Sequence, residues 1–195
     1  MNDQRPVVIP GTTLYLSHFV ESDVSLLTQW YSQLETTSYV GMTGRSFTFS
    51  QERDWFQQYT SYRPDTQHFA IIAHDSQQPI GTVSLMDIRR PHNRAELGIA
   101  IGDQRYWGRG YGREAMRLMC DYGFTFLELH VIYLWYVSYN ERGRRSYEAV
   151  GFRESGRIPE ARILNGARYD DVLMSYKRAD APPSAFTGMF GQLPI

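Results

Sequence analysis

Three glycines at alternate positions, Gly108, Gly110 and Gly112, are interleaved with Arg105, Arg109 and Arg113 in the segment RYWGRGYGREAMRLMCDYGF, residues 105–124. Glycines at this density weaken the start of a helix, so the backbone must be bare for a reason. A strand ending near Gly102, then glycines, then a helix N-terminus is a construction for holding phosphate. Free N–H groups and the positive end of the helix dipole face the anion, and the missing side chains let its oxygens approach. Two phosphate motifs are excluded by spacing. G-R-G-Y-G is not G-x-G-x-x-G, and no Gly-Lys-Ser/Thr follows four spacer residues. The alternative is an ordinary glycine-rich connection.

The rest of the chain bounds the chemistry. Its 195 residues suit one domain with a real core, and 42% hydrophobic with 21% charged residues is ordinary for a soluble globular protein. A net charge of -1 argues against a nucleic-acid binder. Residues 1–100 hold 7 basic and 10 acidic side chains and residues 101–195 hold 13 and 11, so an anion site belongs in the second half. Cys120 is the only cysteine, which excludes an internal disulfide and a cysteine-rich metal site. The five histidines (His18, His68, His74, His92 and His130) show no metal spacing. The first residues lack the apolar stretch of a secretory signal, and the longest apolar run, VIYLWYV, is too short to span a membrane. A cytoplasmic protein with no membrane partner is expected.

Periodicity places the elements that position the glycines. TLYLSHF reads as a strand, and ESDVSLLTQWYSQL as a helix capped by Ser22 or Asp23. ETTSYVGMTGRSFTF reads as a loop, and SQERDWFQQYTSY as a helix capped by Ser50. QHFAIIAHD, PIGTVSLMDIRR and RAELGIAIGD form an antiparallel meander. A helix over 112–127, a two-sided apolar strand VIYLWYVS, a short helix from Asn140 to Gly151 and a hairpin around Asn165–Gly166 complete the pattern. The expectation is an α/β (α+β) domain over 1–178 with a mixed, mostly antiparallel sheet of about seven strands and about four helices. A Pro/Gly-containing tail occupies 179–195; Phe186, Met189, Phe190 and Leu193 could dock on the body or on a second subunit.

The pattern Arg105-x-x-Gly108-x-Gly110 resembles the pyrophosphate-binding motif of the GCN5-related N-acetyltransferases. YWGRGYGREAM looks particularly like the branch containing ribosomal-protein alanine and spermidine acetyltransferases. A second match follows in NERGRRSYEAVGF, where Asn140, Tyr147, Gly151 and Phe152 fall as in that family's later helix. Gly143 departs from the alanine usual there, a change that loosens a helix by up to ~1 kcal/mol.

The resemblance implies acetyl-CoA as co-substrate and a primary amine, small or at a protein N-terminus, as acceptor. It places the pyrophosphate on the backbone of Tyr106, Trp107, Gly108, Arg109, Gly110, Tyr111 and Gly112. Arg105, Arg109, Arg113 and Arg117 recur every four residues and could share a side toward the phosphates, with Arg142, Arg144 and Arg145 adding to the field; a solvated charged face is the alternative. Pantetheine would pair with the backbone of Ile99, Ala100 and Ile101, and Asn140 would bond the same arm while capping its helix. Tyr147 is implied as the general acid for the departing thiolate. Glu96 is the candidate base, acting through water, against the alternative of a structural ion pair. Glu21, Asp23, Glu35 and Asp87 are candidate contacts for a cationic acceptor. Trp30, Tyr39, Trp55 and Tyr59 line its pocket or pack the core. No metal is called for, and the family's habit makes a homodimer possible. The reading from another class is a non-catalytic acyl-CoA-binding sensor or scaffold.

Overall fold

The computed structural model of the protein describes residues 5–61 and 63–188. Its eight strands are β1 (Ile9–Pro10), β2 (Leu14–Ser17), β3 (Gln67–Ala73), β4 (Pro79–Arg89), β5 (Arg94–Ile101), β6 (Val131–Val137), β7 (Arg153–Leu164) and β8 (Ala167–Lys177). They lie in the order β1-β2-β3-β4-β5-β6-β8-β7. Every neighbouring pair is antiparallel except β5–β6. The helices are α1 (Val24–Tyr31), α2 (Leu34–Tyr39), α3 (Phe49–Thr60), α4 (Tyr111–Thr125) and α5 (Glu141–Val150). The mixed, mostly antiparallel sheet and the 67–101 meander are as expected. The strand absent from the sequence reading is the two-residue β1, too short to show periodicity, and the extra helix is α2.

Three local expectations are corrected. Neither Ser22 nor Asp23 caps α1 with its side chain; residues 21–23 form a 3-10 turn, and the buried Asp23 instead accepts from Arg5 and from the Val20 N–H. Helix α3 is capped by Thr48 rather than Ser50, in a capping box with Gln51. The polar stretch after Leu34 is not all loop. The chain breaks at Gln33 (ψ 119°) and resumes as α2, an element with too few apolar residues to announce itself.

Alternation on the strands builds the two layers. Leu14, Leu16, Ile71, Leu85 and Leu97 face α4, whose Ala115, Met116, Met119, Cys120 and Phe124 fill the main core. Tyr15, Ala70 and Ile72 face the other way, where Phe19 packs against them and against Trp55 of α3, rings 5.7 Å apart. Strand β6 lies inside the sheet between β5 and β8, as expected of an apolar strand, but it is not buried on both faces, since Trp135 is 42% exposed. Beyond β8, Phe186 returns to the body, buried against Phe126 with ring centroids 5.1 Å apart. Met189, Phe190 and Leu193 lie outside the described residues, as does the side chain of Tyr59. Among the described residues no helix is long and apolar enough to cross a membrane.

Candidate active site

The parallel ladder between β5 and β6 has three rungs, Arg94–Val131, Ala95–Ile132 and Glu96–Tyr133. Past Glu96 the strands part, while β5 continues on β4 to Ile101 and β6 continues on β8 to Val137. A sheet split along one seam leaves facing backbone edges with no strand between them. Two cavities open there, one of about 600 Å³ and one of about 440 Å³, and both are walled by Tyr39, Val40, Ile99, Ala100 and Tyr147. Their shared wall makes them adjoining chambers along the split.

The smaller chamber has the chemistry of an anion site. It is lined by Gly108, Gly110 and Gly112, by Trp107, and by Arg113, Arg142 and Arg145. Gly108 and Gly110 have φ of 73° and 92°, a left-handed backbone that turns the chain sharply into α4. The N–H groups of Tyr106 and Trp107 are committed to the carbonyls of Asp103 and Gln104. Among the described residues, the donors without a backbone partner therefore run from Gly108 to Arg113, a span displaced toward the helix from the one expected. These groups suit a diphosphate.

The row of arginines does not share one side. Arg105 is ion-paired with Asp103 and 84% exposed; Arg109 is held by Asp75 and lies over Tyr106 and Tyr111. Arg117 donates to the Ala149 carbonyl, and Arg144 is paired with Glu141 and Glu148. Neither Arg105 nor Arg109 lines the chamber, nor does the buried Tyr111. The three arginines that line it have no carboxylate within ion-pair distance among the described residues. Arg142 is instead stacked, its guanidinium carbon 3.6 Å from the Trp107 ring centroid and 4.8 Å from that of Tyr39. The indole N–H of Trp107 donates to the Ile101 carbonyl at 2.7 Å, which fixes the ring against the end of β5.

At the junction, α5 delivers Tyr147. Asn140 opens this helix, its Oδ1 accepting from the Gly143 N–H at 2.9 Å and its Nδ2 donating to the Tyr39 carbonyl at 3.2 Å. The buried amide thereby ties α2 to α5. A Cβ on Gly143 would lie within 2.6–2.9 Å of the Asn140 side chain, so the glycine makes room for the cap rather than merely loosening the helix. Tyr147 packs on Tyr136, ring centroids 5.6 Å apart. Desolvation, with a smaller push from Tyr136, raises its hydroxyl to about 12, which keeps the phenol protonated.

The larger chamber is aromatic and apolar, lined by Tyr31, Trp55, Met42, Met86, Trp135 and Ile158 among others. Of these only Trp55 is singled out by sequence; the rest come from four elements and the loop after α2, which no linear pattern joins. Glu96 lines it, and desolvation followed by the charge of Asp87 raises its carboxyl above the usual range. His68 is also in the wall, and burial holds its imidazole down at about 4, hence neutral. At the rim Arg162 is paired with Asp171 at 2.8 Å. None of Glu21, Asp23, Glu35 or Asp87 lines the chamber. Trp30 is core, 6% exposed. No group of three or more metal-ligating side chains occurs among the described residues.

A passage with an anion-binding mouth, a phenol at its middle and a carboxyl in the far chamber fits an acyl donor carrying a diphosphate and an acceptor entering from the opposite side. Residues 13–153 match the family model described as an acetyltransferase (GNAT) domain. The chain is 33% identical over 136 residues to the spermidine N(1)-acetyltransferase of Vibrio cholerae, covering 67% of this chain and 78% of that one. It is 30% identical over 156 residues to a Bacillus licheniformis protein named as an uncharacterized N-acetyltransferase, p20, covering 78% and 86%. Its fold is similar to that of a Vibrio cholerae spermidine N-acetyltransferase crystallised with CoA and spermine, with a TM-score of 0.78 at 25% identity over 87% of this chain and 98% of that one. The chain belongs to the GCN5-related N-acetyltransferase family, and its activity is the transfer of an acetyl group from acetyl-CoA to an amine.

Proposed function

We propose that the acceptor is an aliphatic polyamine, acetylated by direct attack on the thioester in the passage between β5 and β6. One observation carries this: the larger chamber offers a cation aromatic faces and the carboxyl of Glu96, its other carboxylate, Asp171, being paired with Arg162, and meets the cofactor chamber only at the wall bearing Tyr147. Aromatic rings with a carboxylate suit a chain that is both methylene-rich and positively charged. The names of the spermidine-acetylating relatives support the same reading.

In this reading the N–H groups from Gly108 to Arg113, with Arg113, Arg142 and Arg145, hold the diphosphate. The β5 edge over Ile99, Ala100 and Ile101 pairs with the pantetheine arm, and an N–H there receives the charge that grows on the thioester oxygen. Glu96, through water, takes a proton from the ammonium. The amine lone pair then forms the C–N bond, the C–S bond breaks as Tyr147 supplies the proton that leaves CoA as a neutral thiol, and the nitrogen gives up its surplus proton to water, from which the Tyr147 phenolate is reprotonated. Asn140 holds the wall on which Tyr147 stands.

The test is thiol release from acetyl-CoA with spermidine and spermine, set against aminoglycosides, amino sugars and ribosomal-protein N-terminal peptides. Saturable release with the polyamines alone supports the reading; release only with another class replaces the acceptor and leaves the transferase. Self-association is a further part of the proposal, resting on the exposed Ile158 and Ile163 of edge strand β7, and is read by sedimentation velocity.

A further inference from the structure

The N-terminal wall of the smaller chamber holds a polar atom that the scheme above leaves unused. Thr36, on α2, is 2% exposed, lines the chamber, and its Oγ1 has no hydrogen-bond partner among the described residues. Its neighbour Thr37, equally buried, donates to the Arg45 carbonyl at 2.7 Å. A helical hydroxyl ordinarily bonds back to a carbonyl of the preceding turn, as Ser38 does to Leu34 at 2.7 Å. Thr36 does not. A buried hydroxyl stripped of water with nothing in exchange destabilises the ligand-free fold, and one kept at the wall of a binding chamber calls for a ligand.

Position on the helix selects which part of the ligand. Tyr39 and Val40 belong to the junction with Tyr147, where the thioester must lie for transfer to occur. Thr36 is three residues earlier, about one helical turn or ~5 Å away, and lines the smaller chamber alone. The anion-binding groups of that chamber are elsewhere, backbone N–H groups on the loop before α4 and arginines on α4 and α5. One turn from the thioester, a neutral hydroxyl meets the neutral amides of the pantetheine arm.

We propose that Thr36 Oγ1 is a binding group for a pantetheine amide of acetyl-CoA. Entry of the arm then gives the orphaned hydroxyl its partner and fixes α2, the element that also carries Tyr39 into the acceptor chamber. The inference rests on the smaller chamber being the cofactor site.

The experiment is calorimetric titration of wild type, Thr36→Val, Thr36→Ser and Arg113→Glu with CoA and with adenosine 3′,5′-bisphosphate, which lacks the arm, alongside ligand-free melting temperatures. Thr36→Val keeps the shape and removes the hydroxyl. It is expected to weaken CoA ~5–10-fold, to leave the bisphosphate unaffected, and to melt no lower than wild type; Thr36→Ser retains CoA affinity. Unchanged CoA affinity in Thr36→Val, equal loss for both ligands, or a lowered melting temperature overturns the proposal. Arg113→Glu separates the two readings. If it weakens CoA while Thr36→Val does not, the role of Thr36 alone fails; if it leaves CoA unaffected, the chamber is not the cofactor site and the inference falls with it.

Discussion

Glu96 and Tyr133 form the last rung of the parallel β5–β6 ladder, so the candidate base sits where the sheet begins to split. On one side of Glu96 the β5 backbone is paired with both neighbours; on the other it has only β4 and a free edge. The rung also brings Glu96 close to Asp87, whose carboxylate accepts from the Tyr133 hydroxyl at 3.5 Å and is paired with Arg89. The carboxyl therefore stands in the wall of the acceptor chamber with a second negative charge near it.

That arrangement sets a pH dependence. Desolvation, and then Asp87, favour the protonated form of Glu96 and raise its pKa, and only the carboxylate accepts a proton. The acidic limb of kcat/KM for the amine is expected at a higher pH than an ordinary glutamate gives, with activity lost as pH falls through it. Glu96→Gln should remove that limb and lower the rate ~10²-fold or more. Asp87→Asn should move the limb down. A rate profile over pH 5–9 reads all three.

Tyr147→Phe removes the proton donor and leaves the ring that packs on Tyr136. A fall in kcat of ~10²–10⁴-fold with CoA affinity within twofold by calorimetry is expected. Equal loss of binding and turnover would mark Tyr147 as a wall and not an acid.

Gly110 caps α4 at φ 92°, where any side chain is strained whatever space surrounds it. Gly110→Ala should cost ~1–2 kcal/mol of stability and weaken CoA by shifting the N–H groups of the loop. Denaturant titration measures the first effect and calorimetry the second.

Glu52 lies buried in α3, and desolvation raises its carboxyl to about 7. Since the folded value exceeds the unfolded one, this group favours folding most below the unfolded pKa, near 4.5. That contribution is lost as pH rises through about 7, where a buried charge must form. Glu52→Gln should therefore raise the melting temperature by ~2–4 °C at pH 8 and change it little at pH 4. Calorimetric melts at the two pH values decide it.

Phe186 seals α4 against Phe126, and Thr125 and Asp121 of the same helix bond Ser184 and the Ala185 N–H. Phe186→Ala should lower stability by ~3 kcal/mol while leaving KM for acetyl-CoA unchanged, because the contact lies away from the passage. Urea unfolding with matched kinetics checks both halves.

The residues alone determined the meander, the helix after the glycines, Asn140 as a cap, the hairpin at Asn165–Gly166 and the family. Each depends on interactions within a few positions: alternation, capping, left-handed turns and a motif contiguous along the chain. Tertiary structure decided which charges are available. Arg105 and Arg109 belong to the motif by sequence, yet Asp103 and Asp75 claim them, while Arg113, Arg142 and Arg145 are left to the chamber. Partner choice of that kind is settled by distance in space, as with Asp75, 34 positions away, and periodicity carries no record of it. Helix α2 was hidden by its few apolar residues, and the acceptor chamber because its wall is assembled from segments far apart in the chain. Thr36, Tyr39 and Met42 acquire a role only when β5 and β6 diverge past Glu96, a parting that no local pattern encodes.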